Sequence, residues 1–197
     1  MAINYPLAFP THTGISGVEI STSNAVAYSR SPFTFAGQAH VYSGQMWRLD
    51  ITLPPMNVRA DAERWVAWLV SLQGQRGTFL AGDPSSSAPR SASAPTSATI
   101  SGTAGSASVT VAMTGTLLAG DMIQISTGAD ATLHKVLIDK TNGGTLEIWP
   151  ALRKDRSAAA VDLTDAKGLF RLASNEISYS VNNALSYGIS FSAVEAV

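Results

Sequence analysis

The chain has 197 residues, of which 45% are hydrophobic and 14% charged, with a formal net charge of -1 and no cysteine. That charged share is about half of the roughly one quarter usual in globular domains, yet the apolar share is too high for a disordered tail. Disulfides, thiolate-bound zinc, iron–sulfur clusters and thiol nucleophiles are excluded, and without a clustered basic surface no nucleic-acid binding is expected.

The opening MAINYPLAFPTHTG is broken by prolines and lacks a basic stretch followed by an apolar one, so it is not expected to act as a signal peptide. No apolar run approaches the ~20 residues of a membrane helix. Synthesis and assembly in a cytoplasm, without membrane insertion, are expected. GVEIST and AVAYS are weakly alternating strand candidates. AGQAHVY is expected to pair with QMWRLDITL as a hairpin turning at Ser43-Gly44. In QMWRLDITL, Trp47, Leu49, Ile51 and Leu53 share one face and Arg48, Asp50 and Thr52 the other, the period of a strand with one buried side.

Pro54-Pro55 ends the sheet, because proline has no N–H for the ladder. RADAERWVAWLVSLQG then predicts a helix over residues 60–73, with Asp61 and Glu63 in its first turn and Gly74 just past its end. Ala62, Trp65, Leu69 and Leu72 form one stripe, flanked by Trp68 on one side and by Val66 and Val70 on the other. The apolar arc spans roughly 200°, against the ~100° that covers one sheet. The helix is therefore expected to pack inward with one edge and meet another subunit with the edge that carries Trp68.

SSSAPRSASAPTSATISGTAGSAS can bury little and reads as a linker or exposed loop grading into a strand. SVTVAM, DMIQIS, TLHKVLI and GTLEIWP follow as short strand candidates, separated by Thr127-Gly128 and Asn142-Gly143-Gly144. This spacing predicts a small barrel or sandwich. LRKDR, with Arg153, Lys154 and Arg156, is expected to be a solvated loop. KGLFRLAS, EISYSVNN and LSYGISFSAVEA then resume the first style, with Ile177, Tyr179 and Val181 alternating, as do Tyr187, Ile189 and Phe191. LAGD occurs at residues 80–83 and 118–121 and reads as one turn chemistry used twice. The expected organisation is a β domain from residues 1–90 and 168–197, with a second β module of residues 91–167 inserted between.

The residues show no catalytic constellation. His12, His40 and His134 lie in different segments without metal-ligand spacing, and there is no G-x-S-x-G, P-loop or G-x-G-x-x-G. No catalytic residue, cofactor or metal ligand is assigned, and no enzymatic activity is expected. Phe33 and Phe35, in a proline-containing loop, either cap a sandwich end or dock onto a neighbour, since aromatics are enriched in interface cores. With Trp68 and Arg64 they are the candidate interface residues. Trp149 fills a core or, in an alternative reading of the chain as a host-surface carbohydrate-binding tail module, contacts glycan.

The run SPFTFAGQAHVYSGQMWRLDITLPPMNVRADAERWVAWLVSLQGQRGTFLAGDPSSSAPR resembles a family of small virion proteins from long-tailed bacteriophages. GDMIQIS, LHKVLID, LEIWPALR, KGLFRLASNEISYSV and YGISFSAVEA continue the resemblance almost to the C-terminus, and the W-x-x-x-x-T-L-P-P-M string at residues 47–56 is its most distinctive part. The family is the distal tail proteins, baseplate ring components at the tip of the tail tube. The resemblance implies a mainly β fold, with a β-sandwich ring domain carrying one α-helix and an inserted, OB-like barrel pointing outward. It also implies a homo-oligomeric ring, usually a hexamer, in the virion tail tip. Its neighbours there would be the tail tube protein, the baseplate hub and the tape-measure protein.

Overall fold

The computed structural model describes residues 3–11 and 14–197. Strands β1 (Gly17–Arg30) and β2 (Gly37–Thr52) form one long antiparallel hairpin, followed by helix α1 (Arg59–Ser71) and β3 (Phe79–Ala81). Next come β4 (Ala98–Gly102), β5 (Ser108–Met113), β6 (Thr116–Leu117), β7 (Met122–Ile125), β8 (Thr132–Val136), β9 (Lys140–Thr141), β10 (Gly144–Trp149) and β11 (Arg156–Asp162). The chain then adds β12 (Gly168–Leu172), β13 (Tyr179–Val181) and β14 (Tyr187–Glu195). β1-β2-β14-β12-β3 lie edge to edge in one sheet, with β13 along β14, while β10-β5-β4-β11-β7-β8 close into a barrel. All pairings within the barrel are antiparallel. The protein is thus mainly β with one helix and a closed barrel of six strands, one more than the five of an OB barrel.

The sheet is covered on one face. Registry puts Ile51 beside Phe191, Leu49 beside Ala193, Leu172 beside Ala193 and Phe79 beside Phe170. These side chains share a core with Trp65, Leu69 and Leu72 of the helix region and with Met122 and Leu133 of the barrel. The opposite face carries Arg48, Asp50, Thr52, Ser190 and Ser192, with Ser192 Oγ donating to Asp50. A face so polar gains nothing by burying itself under a second sheet. Helix and barrel take the place of the second layer expected of a sandwich.

The hairpin differs from its expected form. Ser43-Gly44 is not a turn: both residues lie inside the continuous 16-residue strand β2, whose partner is β1 rather than a strand formed by AGQAHVY. GVEIST and AVAYS merge into that single partner strand. The register slips between Asn24 and Val26, and a Cβ on Gly44 would lie 3.0 Å from the Ala25 Cβ. Gly44 therefore makes room for a bulge. The reversal occurs at residues 31–36, where Ser31 N–H donates to the Ala36 carbonyl at 2.9 Å.

LRKDR is a joint and not a solvated loop. Arg153 donates through Nη2 to Glu195 Oε2 and to the Gln45 carbonyl, both at 2.6 Å, and Glu195 also accepts from the Trp47 N–H at 3.2 Å. Arg156 reaches Asp130 and, at 3.0 Å, Ser126 Oγ, while Lys154 meets Asp130 at 2.7 Å. Carboxylates far away in sequence draw the two arginines inward, while Lys154 stays 66% exposed. The Arg153–Glu195 pair fastens the barrel's last loop to two strands of the sheet. Replacing Arg153 by methionine strands the Glu195 carboxylate, whose side chain is 4% exposed. Removing one partner of a buried pair costs 3–5 kcal/mol. Arg153 retains some solvent contact, so we expect a loss of about 2 kcal/mol in urea denaturation, largely recovered when Glu195 is replaced by leucine as well.

Candidate assembly surface

The hairpin outgrows the protein that supports it. Near Trp47 its strands belong to the sheet, but Thr22–30 and 32–44 are exposed throughout. Cross-strand neighbours Val26 and Val41, and Tyr28 and Ala39, share one face of this arm. They keep the strand parity of Val18, Ile20, Trp47 and Leu49, the residues that face the core nearer the root. The sequence thus continues a core-facing pattern past the point where there is a core to face. Val26 is 48%, Tyr28 66% and Val41 71% exposed. The other face carries Ala27, Ser29, Gln38 and His40, with the His40 ring edge-on to Tyr42 at 4.6 Å.

The tip is ordered by its own bonds. Ser31 Oγ accepts from the N–H groups of Phe33 and Thr34, both at 3.3 Å. Phe35 N–H donates to the Ser31 carbonyl at 3.0 Å. Arg30 Nε donates to the Phe35 carbonyl at 3.1 Å, and its guanidinium stands 4.8 Å from the centre of the Phe35 ring. This local network leaves Phe33 pointing away from the chain, 91% exposed.

At the root of the arm a groove of about 400 Å³ opens between β1 and the barrel. Ile20, Thr22 and Asn24 line one wall, and Lys135, Leu137 and Trp149 the other. Trp149 packs edge-on against Trp47 with centroids 4.5 Å apart and donates its indole N–H to Asn24 Oδ1 at 2.9 Å. Trp149 therefore stiffens the junction of arm and barrel.

The four candidate interface residues fall in two places. Phe33 and Phe35 sit together on the tip. Arg64 is exposed on α1, its guanidinium 3.7 Å from Asp61. Trp68 is 8% exposed, and its indole N–H donates to the Ala8 carbonyl at 2.7 Å. The second flank of the helix's apolar arc is thus covered by the N-terminal segment, with Phe9 against both Trp65 and Trp68. Of that arc, Val70 is left outside, 61% exposed.

Groups with chemical potential are dispersed. His40 is on the arm, His134 lies in the barrel interior, and His12 falls outside the described residues. His134 is 0% exposed; its Nδ1–H donates to the Pro150 carbonyl at 2.7 Å and its Nε2 accepts from Thr132 Oγ1 at 3.0 Å. Among the described residues no three His, Asp or Glu side chains are placed to hold a metal ion. None of the described helices is long and apolar enough to cross a membrane. A second cleft of about 370 Å³ on the sheet is lined by Asp50, Glu176 and several serines, with no histidine beside them. The two LAGD carboxylates do serve turns: Asp83 accepts from Ser85 N–H at 2.8 Å and Asp121 from Leu118 N–H at 2.9 Å. Asp121 also binds Arg90 Nε at 2.9 Å, which ties the Ser/Ala/Pro-rich segment to the barrel.

Compared with known protein families the chain matches no family model, and it has no match among curated proteins.

Proposed function

We propose that the protein is a structural subunit of a phage tail tip, a distal tail protein that assembles with copies of itself into a ring. The observation that carries this reading is the arm. A two-stranded ribbon is marginal in water by itself, and this one displays valines, tyrosines and phenylalanines over its whole length. Such a surface gains its stability by being covered, and aromatic-rich, charge-poor surface is what interface centres are made of. The resemblance of residues 31–90 to tail-tip proteins supplies the setting. The sheet and helix α1 would form the body of the ring, as the sandwich domain does in that family, with the small barrel outside. The faces of the ring would contact the tail tube protein on one side and the baseplate hub and tape-measure protein on the other.

The reading is tested by native mass spectrometry of the purified chain. We expect a closed oligomer, six copies being the number the resemblance implies. Removing the arm by joining Thr22 to Gln45 through a short Gly-containing turn should leave a folded monomer. An arm-deleted protein that still forms the same ring would overturn this account of assembly.

A further inference from the structure

Resting on that reading, we infer that the arm tip of one copy inserts Phe33 into the groove at the arm root of the next, between Thr22 and Leu137. Each copy then contributes one tip and one groove.

The geometry requires two molecules. The six residue steps from Asn24 to Arg30 carry the tip loop about 20 Å from the groove, more than the radius of gyration of a chain of this length, roughly 16 Å. The two strands bond to each other along this distance, so the ribbon cannot fold back without breaking its ladder. Tip and groove of one copy never meet, whereas those of adjacent copies can. A contact between two different patches is heterologous, and it closes into a ring when the rotation per copy allows.

The chemistry of the two surfaces agrees. Between Ser23 and Gly44 the arm has no acidic residue and one cation, Arg30, already folded over Phe35. The groove offers Ile20, the 48%-exposed Leu137 and the Trp149 indole, with Asp83 and Lys135 supplying one charge of each sign at its rim. Phe33 brings no charge into this groove, and the arm's single cation stays on its own tip. A ribbon about 10 Å wide and 20 Å long has some 400 Å² on its two faces, about half of the ~800 Å² per partner of a standard interface. The tip loop seated in the groove supplies much of the rest.

The test is a mixing experiment on the full chain, read by native mass spectrometry. Phe33→Asp removes the knob, and Leu137→Glu spoils the hole. Thr22→Trp, at an exposed position, fills the hole without touching the barrel core. Each variant alone should associate at least about 30-fold more weakly than wild type, the effect of losing one central aromatic anchor. Mixing the knob-less and hole-less variants leaves one intact contact per pair, so the mixture should stop at dimers containing one of each. Rings formed by Phe33→Asp at wild-type concentrations would overturn this contact while leaving ring assembly standing. A mixture that stays monomeric shows that the tip binds elsewhere and overturns the groove. Wild-type protein that remains monomeric at every concentration overturns both the contact and the ring.

Discussion

Replacing Trp68 by alanine is expected to cost the protomer about 3–5 kcal/mol, the range for emptying a packed aromatic site. The indole is surrounded by rings, with centroids at 5.1 Å to Phe79, 5.2 Å to Phe9, 5.6 Å to Trp65 and 5.8 Å to Phe191. These belong to the N-terminal segment, the helix, β3 and β14, so a cavity there loosens four parts of the fold together. The Ala8 carbonyl loses its donor as well, though Ala8 is exposed and water can take the donor's place. Urea denaturation monitored by circular dichroism measures the effect. A loss below about 1 kcal/mol would mean that the cluster collapses freely around the gap and that Trp68 is not a keystone of the core. Phe33→Asp is the contrasting variant: it should change the mass of the assembly, and leave the unfolding curve unmoved at concentrations where both proteins are monomeric.

Acidification from pH 6.5 to 4 is expected to remove about 3 kcal/mol of stability through His134 alone. Burial in the barrel pushes its imidazole down from the ordinary 6.5 to about 4, against the opposing bond to the Pro150 carbonyl and with help from the charges of Arg153 and Arg156. A folded-state value below the unfolded one means that the unfolded chain binds the proton first. The stability contributed by neutral His134 is therefore complete above pH 6.5, declines as pH falls, and is fully lost near pH 4. Each unit of displacement is worth about 1.4 kcal/mol. Urea midpoints at pH 7, 5.5 and 4 should fall progressively. His134→Gln, which keeps a donor for Pro150 and an acceptor for Thr132 without titrating, should be less stable at pH 7 but show a flatter pH dependence. An unchanged slope in that variant would place the acid sensitivity in other groups. Asp50, held below the usual carboxylate range by the Ser192 hydroxyl, and Asp130, held there by Lys154 and Arg156, lose their contributions only at more acidic pH, as pH falls through their lowered folded values.

The elements that could be read in the sequence are those whose signal is local. The alternation of Trp47, Leu49 and Ile51 and the breaking effect of Pro54-Pro55 both reappear in the fold. The helix predicted at residues 60–73 is α1, Arg59–Ser71, and SVTVAM, DMIQIS, TLHKVLI and GTLEIWP each hold a barrel strand. Period and turn chemistry act over a few residues and need no partner to be legible. By contrast, β11 runs through Ser157-Ala158-Ala159-Ala160, residues of weak strand preference, because β4 and β7 flank it and complete the barrel.

The candidate assembly surface was legible only in part. Phe33 and Phe35 stood out as aromatics in a proline-containing loop, but nothing nearby in sequence says that this loop crowns an unsupported arm. That depends on where β14 stops pairing along β2, at Arg48, a fact about residues more than a hundred positions apart. The groove was not legible at all, since Ile20 and Thr22 meet Leu137 and Trp149 only when the barrel docks on the sheet. Long separations also part Trp68 from its cover at Ala8, 60 positions away, and Arg153 from its carboxylate at Glu195, 42 positions away. By itself, then, the sequence determined the helix, most of the strands and which side of each is apolar. Tertiary structure decided which apolar sides are covered, because burial and ion pairing depend on what the rest of the chain brings alongside. On the arm it brings nothing.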